Sequence, residues 1–137
     1  MSKAVFLDTS AWLALTNKSD TFHAKAKKAR SKLLKAKSKC YVTDYVIVEV
    51  ANSLSRSPWR SAAIQLITSI HSSETIEIIR IDQDMYDEAW NLYTSRKDKE
   101  WGLTDCTSFV VMNRYAIRDA FTNDHHFKQA GFNLLLK

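Results

Sequence analysis

The chain is poor in glycine. Gly102 and Gly131 are the only two in 137 residues. Neither a phosphate-cradling G-x-x-x-x-G-K-[ST] loop nor a dinucleotide-binding G-x-G-x-x-G can be built from them, so nucleotide-cofactor enzymes of those two kinds are excluded. Cysteine is scarce too: Cys40 and Cys106 are alone and lack metal-type spacing. Two buried free thiols in a reducing compartment is the expectation. No apolar run approaches the roughly 18 residues of a membrane span. The apolar stretch near the start, Ala4-Val5-Phe6-Leu7, is too short for a signal peptide and ends at an acid. A cytoplasmic protein without a membrane partner is expected. There are no repeats, low-complexity tracts or linkers, so residues 1–137 read as one domain.

What remains is ordinary globular material, 45% hydrophobic and 26% charged. The balance of 20 basic against 15 acidic residues gives +5, which is mildly basic and compatible with a polyanionic partner. Nine of the basic residues, against the single acid Asp20, lie between Lys18 and Lys39.

Short apolar segments alternate with helical patterns. Ala4–Leu7, Tyr41–Thr43, Ile76–Ile81, Ala120–Thr122 and Asn133–Leu136 read as strands. Between them, helices are expected over Thr9–Thr16, Thr21–Lys37, Asp44–Ser55, from Pro58 through Ile70, Asp82–Arg96, Thr104–Tyr115 and Asp124–Ala130. Thr9 or Ser10, Asp20, Asp44, Asp82 and Thr104 are the expected N-caps, with Gly131 closing the last helix. Such alternation predicts an α/β domain around a largely parallel sheet of four or five strands.

Four acids stand where an apolar segment meets a helix: Asp8, Glu49, Asp105 and Asp124. A carboxylate beside a buried strand end is costly unless paired. The bland alternative, a helix cap or surface charge, suffices for Asp20, Asp44, Asp82 and Asp84. Asp8, Asp105 and Asp124 each have a neutral capping residue beside them, and Glu49 interrupts the apolar Val46-Ile47-Val48. Strand ends gather along one edge of a parallel sheet. Carboxylates crowded there repel one another, and a hard divalent cation relieves that repulsion. The pattern therefore points to a Mg²⁺ or Mn²⁺ site and to phosphate chemistry.

Four blocks in order, Phe6-Leu7-Asp8-Thr9-Ser10-Ala11-Trp12, Thr43-Asp44-Tyr45-Val46-Ile47-Val48-Glu49, Leu103-Thr104-Asp105-Cys106-Thr107-Ser108-Phe109 and Phe121-Thr122-Asn123-Asp124-His125-His126-Phe127, resemble PIN-domain nucleases. The likeness is to the VapC-like toxins of bacterial toxin–antitoxin pairs and covers nearly the whole chain. It implies a three-layer α/β/α fold and an acidic cluster of Asp8, Glu49, Asp105 and Asp124. Asp8 and Asp105 would be the more direct ligands of Mg²⁺ or Mn²⁺. Thr9, Ser10, Thr104 and Asn123 match polar positions lining such sites. RNA, with tRNA or rRNA the expected class, would be the substrate, and a cognate antitoxin the partner. Homodimers are common in that family.

Other residues carry weaker signals. Lys25, Lys28, Lys32 and Lys35 on the basic helix are candidates for RNA phosphate contacts, or simply its solvated face. His125 and His126 are adjacent, so on a helix they diverge by about 100° and are expected at the surface or cleft edge. Trp101 is the tryptophan best placed to stack on a base. Tyr86, Trp90 and Tyr93 form a second stripe, marking either an antitoxin or dimer surface or a helix buried on two sides. A phosphatase of the haloacid-dehalogenase type needs a second Asp two residues after the first, and that position is Ser10. A non-catalytic RNA- or partner-binding module with the same fold, and a structural metal site without turnover, are the remaining alternatives.

Overall fold

Near-continuous apolar strands must be covered on both faces, which for parallel strands means helical crossovers. The computed structural model of the chain, described here for residues 4–136, has that architecture. Met1–Lys3 and Lys137 lie outside the described residues, so the reading of the chain's start is left there. In order the elements are β1 (Val5–Leu7), α1 (Thr9–Thr16), α2 (His23–Lys35), β2 (Cys40–Thr43), α3 (Asp44–Ser53), α4 (Trp59–Ser72), β3 (Ile76–Ile79), α5 (Gln83–Ser95), α6 (Leu103–Arg114), β4 (Asp119–Phe121), α7 (His125–Gln129) and β5 (Asn133–Leu134). All four strand pairings are parallel, in the order β3-β2-β1-β4-β5.

Because β2 and β4 flank β1, the chain reverses its direction of travel across the sheet there. Right-handed crossovers then place α1–α4 on one face and α5–α7 on the other. The pleat confirms it. Leu7, Cys40 and Phe121 face a cavity shared with Leu33 of α2 and Ile70 of α4. Phe6 points the other way, its ring 6.3 Å from Phe127 of α7, which in turn meets Phe109 of α6 edge-on at 5.0 Å. Phe6, Phe109, Phe121 and Phe127 are almost completely buried. Each such ring contributes about 1.5–3 kcal/mol by leaving water.

The expected helices form, with shifted caps. Asp8, in an extended conformation, is itself the N-cap of α1, and Asp124 is the N-cap of α7. Thr9 and Ser10 already have helical backbone and cannot cap. Thr43 rather than Asp44 caps α3, its hydroxyl accepting from Val46 N at 3.1 Å. Asp44 instead accepts from Ile81 N at 3.0 Å, tying α3 to the segment after β3. Asp20 accepts from Phe22 N at 2.8 Å, one turn ahead of α2. Gly102, not Thr104, begins α6. Asp82 caps α5 as expected. Gly131 lies just past α7 with φ +97°, the left-handed conformation that ends a helix and favours glycine. Among the described residues, no helix is long and apolar enough to cross a membrane. Both cysteines are buried free thiols, and burial together with Asp105 pushes Cys106 up to about 11.

Candidate active site

Ligands of doubly wound sheets sit outside the carboxyl ends of the strands, at the point where strand order reverses. Here that is the gap between β1 and β4. Asp8 emerges from β1, and Thr122, Asn123 and Asp124 emerge from β4. Asp105 enters from the first turn of α6.

Asp8 is 4% exposed. Its Oδ2 gathers three donors: Thr122 Oγ1 at 2.7 Å, Ser10 Oγ at 3.2 Å and, weakly, Ser10 N at 3.5 Å. The Thr122 hydroxyl has one proton and gives it to Asp8, so its oxygen is free to accept from Asp124 N at 3.0 Å. Ser10 Oγ accepts from Asn123 N at 3.1 Å and lies 2.8 Å from Thr122 Oγ1. The two strand ends are thus laced together through Thr122 and Ser10. Asp105 Oδ2 accepts from Gly102 N at 3.0 Å, and Asp124 Oδ1 accepts from His126 N at 2.9 Å.

Burial pushes Asp8 up to about 6; the Thr122 hydrogen bond opposes this, and the charges of Asp105 and Asp124 add to it. Asp105 is also raised, by burial and by Asp124, against the opposing pull of the Gly102 N–H and of His126. Asp8 therefore senses the charges of Asp105 and Asp124, and Asp105 senses that of Asp124. Glu49 is tethered rather than crowded: Thr9 Oγ1, from the first turn of α1, donates to its Oε1 at 2.5 Å. Glu49 lines an open cleft beside the trio with Tyr45, Val48, Asn52, Ser53 and Thr104.

Three buried or half-buried carboxylates from three different helix starts form an oxygen-rich, negatively charged pocket suited to a hard cation. A sequence profile of the PIN domain matches residues 5–133.

The chain belongs to the PIN-domain family.

Nucleases of that family generally use a divalent metal. The chain is 31% identical over 129 residues, 93% of its own length and 95% of the relative's, to the 23S rRNA-specific endonuclease VapC20 of Mycobacterium tuberculosis. The crystal structure of that protein, described as a sarcin-ricin loop cleaving toxin, is similar with a TM-score of 0.82 at 29% identity over 93% and 95% of the two chains. VapBC2 from Rickettsia felis, bound to a DNA fragment from its promoter, shares the fold with a TM-score of 0.71 at 18% identity over 96% of each chain.

Within this PIN domain, sequence reasoning missed two residues. Thr122, fully buried, is the closest donor to Asp8. A threonine at a strand end carries no local signal that separates it from an ordinary β-former. His126 was expected at the cleft edge, yet its Nδ1 lies 3.1 Å from Asp105 Oδ2 and 3.4 Å from Asp124 Oδ1, inside the acidic cluster. Of the supporting positions, Thr9 and Ser10 use their hydroxyls. Asn123 contributes its backbone N–H. Thr104 borders the Glu49 cleft, and its carbonyl accepts from Thr107.

Trp101 corrects another expectation. It is 6% exposed, packed edge-on against Phe109, and its Nε1 donates to Gln129. It belongs to the core and cannot stack on a base. The other aromatic stripe is open on its outer side. Trp90 and Tyr93 are nearly half exposed and stacked at 5.7 Å, so α5 is not buried on two sides. Lys25, Lys28, Lys32 and Lys35 are all exposed along α2.

Proposed function

We propose that this PIN domain is a Mg²⁺- or Mn²⁺-dependent endoribonuclease and the toxin of a toxin–antitoxin pair, held inactive by a cognate antitoxin and acting in the cytoplasm. The observation that carries the reading is the convergence of Asp8, Asp105 and Asp124, with two of the three carboxyls held above their ordinary range by burial and by one another. That residual repulsion is what a divalent cation removes, and the oxygen donors suit Mg²⁺ or Mn²⁺. Asp8 and Asp105 would hold the ion, with Asp124 beside them. A divalent ion bound there supplies charge relief at the scissile phosphate and acidity to the attacking water. Glu49, fixed by Thr9 on the open side of the trio, orients that water and accepts its proton. Ser10 and Thr122 keep Asp8 aimed and exclude bulk water from its inner oxygen. Hydrolysis that leaves 5′-phosphate and 3′-hydroxyl ends is the expected outcome.

Ribosomal RNA is the substrate class to try first, because the relative at 31% identity is a 23S rRNA endonuclease. The lysine stripe of α2 would track phosphates. The exposed Trp90–Tyr93 pair is the surface offered to the antitoxin or to a second copy. The test is cleavage of rRNA fragments and tRNAs by purified protein with Mg²⁺, Mn²⁺ or EDTA, beside Asp8→Asn prepared identically. Discrete cuts that require metal and vanish in the variant support the reading. Equal cutting by both preparations, or none with any RNA, refutes it.

A further inference from the structure

α3 turns Val46 and Val50 into the core, so its opposite side ought to be a charged, solvated face. It is not. Tyr45, Val48, Glu49, Asn52 and Ser53 recur at the spacing of one helical stripe and together line the cleft beside the acidic trio, joined by Thr104 of α6. Glu49 is the only charge among them, and α3 holds no Lys or Arg. Val48 is 56% exposed, one turn from the half-buried Tyr45. Among the described residues, the Tyr45 ring meets no other ring, and the Tyr45 hydroxyl and the Asn52 amide have no hydrogen-bond partner.

The contrast is with α2, whose exposed Lys25, Lys28, Lys32 and Lys35 suit phosphates. A phosphate entering the α3 cleft would meet Glu49 and no basic side chain. A neutral, flat group would meet a ring, an apolar patch, and an amide with both a donor and an acceptor. Those are the groups that hold an unstacked base, aromatic faces for stacking and amides for its edge. The cleft holds about 500 Å³, within the roughly 300–1,000 Å³ of small-ligand sites.

We propose that this cleft is the subsite for the base of one unpaired nucleotide, the one 3′ of the scissile bond, with Tyr45 and Val48 as its platform and Asn52 reading its edge. The assignment rests on the nuclease reading, and the position follows from in-line attack. The water beside Glu49 and the departing 3′ oxygen lie on opposite sides of the phosphorus. The nucleotide 5′ of the cut therefore runs away from Glu49. The nucleotide 3′ of the cut, joined through an equatorial oxygen, is the one whose base reaches the cleft. Cleavage is thereby confined to single-stranded or looped RNA, since a paired base cannot enter.

The test begins with binding, which does not depend on turnover. Oligo(A), oligo(C), oligo(U) and a blunt RNA duplex are titrated by fluorescence anisotropy, across a range of salt, with protein carrying Asp8→Asn alone or together with Tyr45→Leu, Tyr45→Phe or Asn52→Ala. Tyr45→Leu should bind the single strands about tenfold more weakly, and Tyr45→Phe, which keeps the ring, within about twofold of the parent. In Tyr45→Leu the slope of log affinity on log salt should not change, because no phosphate contact is lost, and duplex binding should stay within about twofold. A folding defect would instead weaken single strands and duplex together. Asn52→Ala should bring the affinities for the three homopolymers closer by about threefold or more. In an RNA that the wild type cuts, removing the base 3′ of the cut should raise KM about tenfold in wild type and less than about twofold in Tyr45→Leu.

Undiminished single-strand affinity in Tyr45→Leu, or the same coupling to the base 5′ of the cut instead, overturns the proposal. So does a shift in oligomeric state in Tyr45→Leu with RNA binding unchanged, which would give the face to a second copy. Cleavage lost in Asp8→Asn, beside an unaffected Tyr45→Leu, would leave the nuclease reading standing without the subsite. Ring-dependent binding with no cleavage of any RNA would keep the base cleft and refute the nuclease.

Discussion

Replacing Asp8 by Asn should stabilise the metal-free protein at neutral pH while abolishing cleavage. Asp8 is almost wholly buried and held near 6 instead of 3.8. A carboxyl with a raised pKa binds its proton more tightly in the folded chain than in the unfolded one. The folded state therefore gains from protonation as pH falls from about 6 toward 3.8, and the gain is lost as pH rises through about 6. The displacement corresponds to about 3 kcal/mol of strain carried by ionised Asp8 at pH 7. Asparagine has no charge to bury, caps a helix about as well as aspartate, and offers an oxygen to the Thr122 hydroxyl. Urea unfolding in EDTA at about pH 7.5 should show the variant more stable by about 2–3 kcal/mol, a rise in Tm of about 8 °C for a chain of this length. At about pH 4 the difference should shrink to within about 0.5 kcal/mol. A variant no more stable than wild type at pH 7.5, or a gain that ignores pH, would refute the electrostatic account of the site.

Thr122→Val keeps the shape but removes the donor to Asp8 and the acceptor for Asp124 N; it should cost about 1–3 kcal/mol, measured by urea unfolding at neutral pH, and lower cleavage. Changing Lys25, Lys28, Lys32 and Lys35 together to Gln should weaken RNA binding and flatten its dependence on salt by about 0.7 per lost contact on a double-logarithmic plot, without altering the unfolding midpoint by more than a small amount. Gly131→Ala meets a positive φ and should cost about 1–2 kcal/mol in thermal unfolding, with the cleavage rate per folded molecule unchanged.

Much of this molecule was legible from local pattern because each of β1 to β4 runs directly into a polar residue, Asp8, Asp44, Arg80 and Thr122, that leaves the sheet. The strand of Val5–Leu7 ends where Asp8 begins, and that boundary also located the site. The caps were harder. With Thr9 and Ser10 beside it, Asp8 read as surplus to capping, yet backbone conformation decides the matter, and the extended residue is Asp8, at ψ 160°. His126 escaped for a related reason. It stands in the first turn of α7, two residues after the N-cap Asp124, and its ring reaches the carboxylates of Asp105 and Asp124, the first of them 21 positions away in the chain. Thr122 acts on Asp8 across 114 positions of chain, a distance no window of sequence spans.

The caps also explain the residue types. Each of the three aspartates accepts a backbone N–H at the start of a helix, a reach that suits one methylene. Glu49 lies within the body of α3, where no backbone N–H is free, and must extend to Thr9 on another helix, which suits two. The choice of Asp or Glu at each corner is thus a measure of length, set by where the backbone ends and the pocket begins. Lengthening Asp8 or Asp124 to Glu would keep every charge and still unfasten the helix beneath it, so in this pocket conserving charge is not the same as conserving the site.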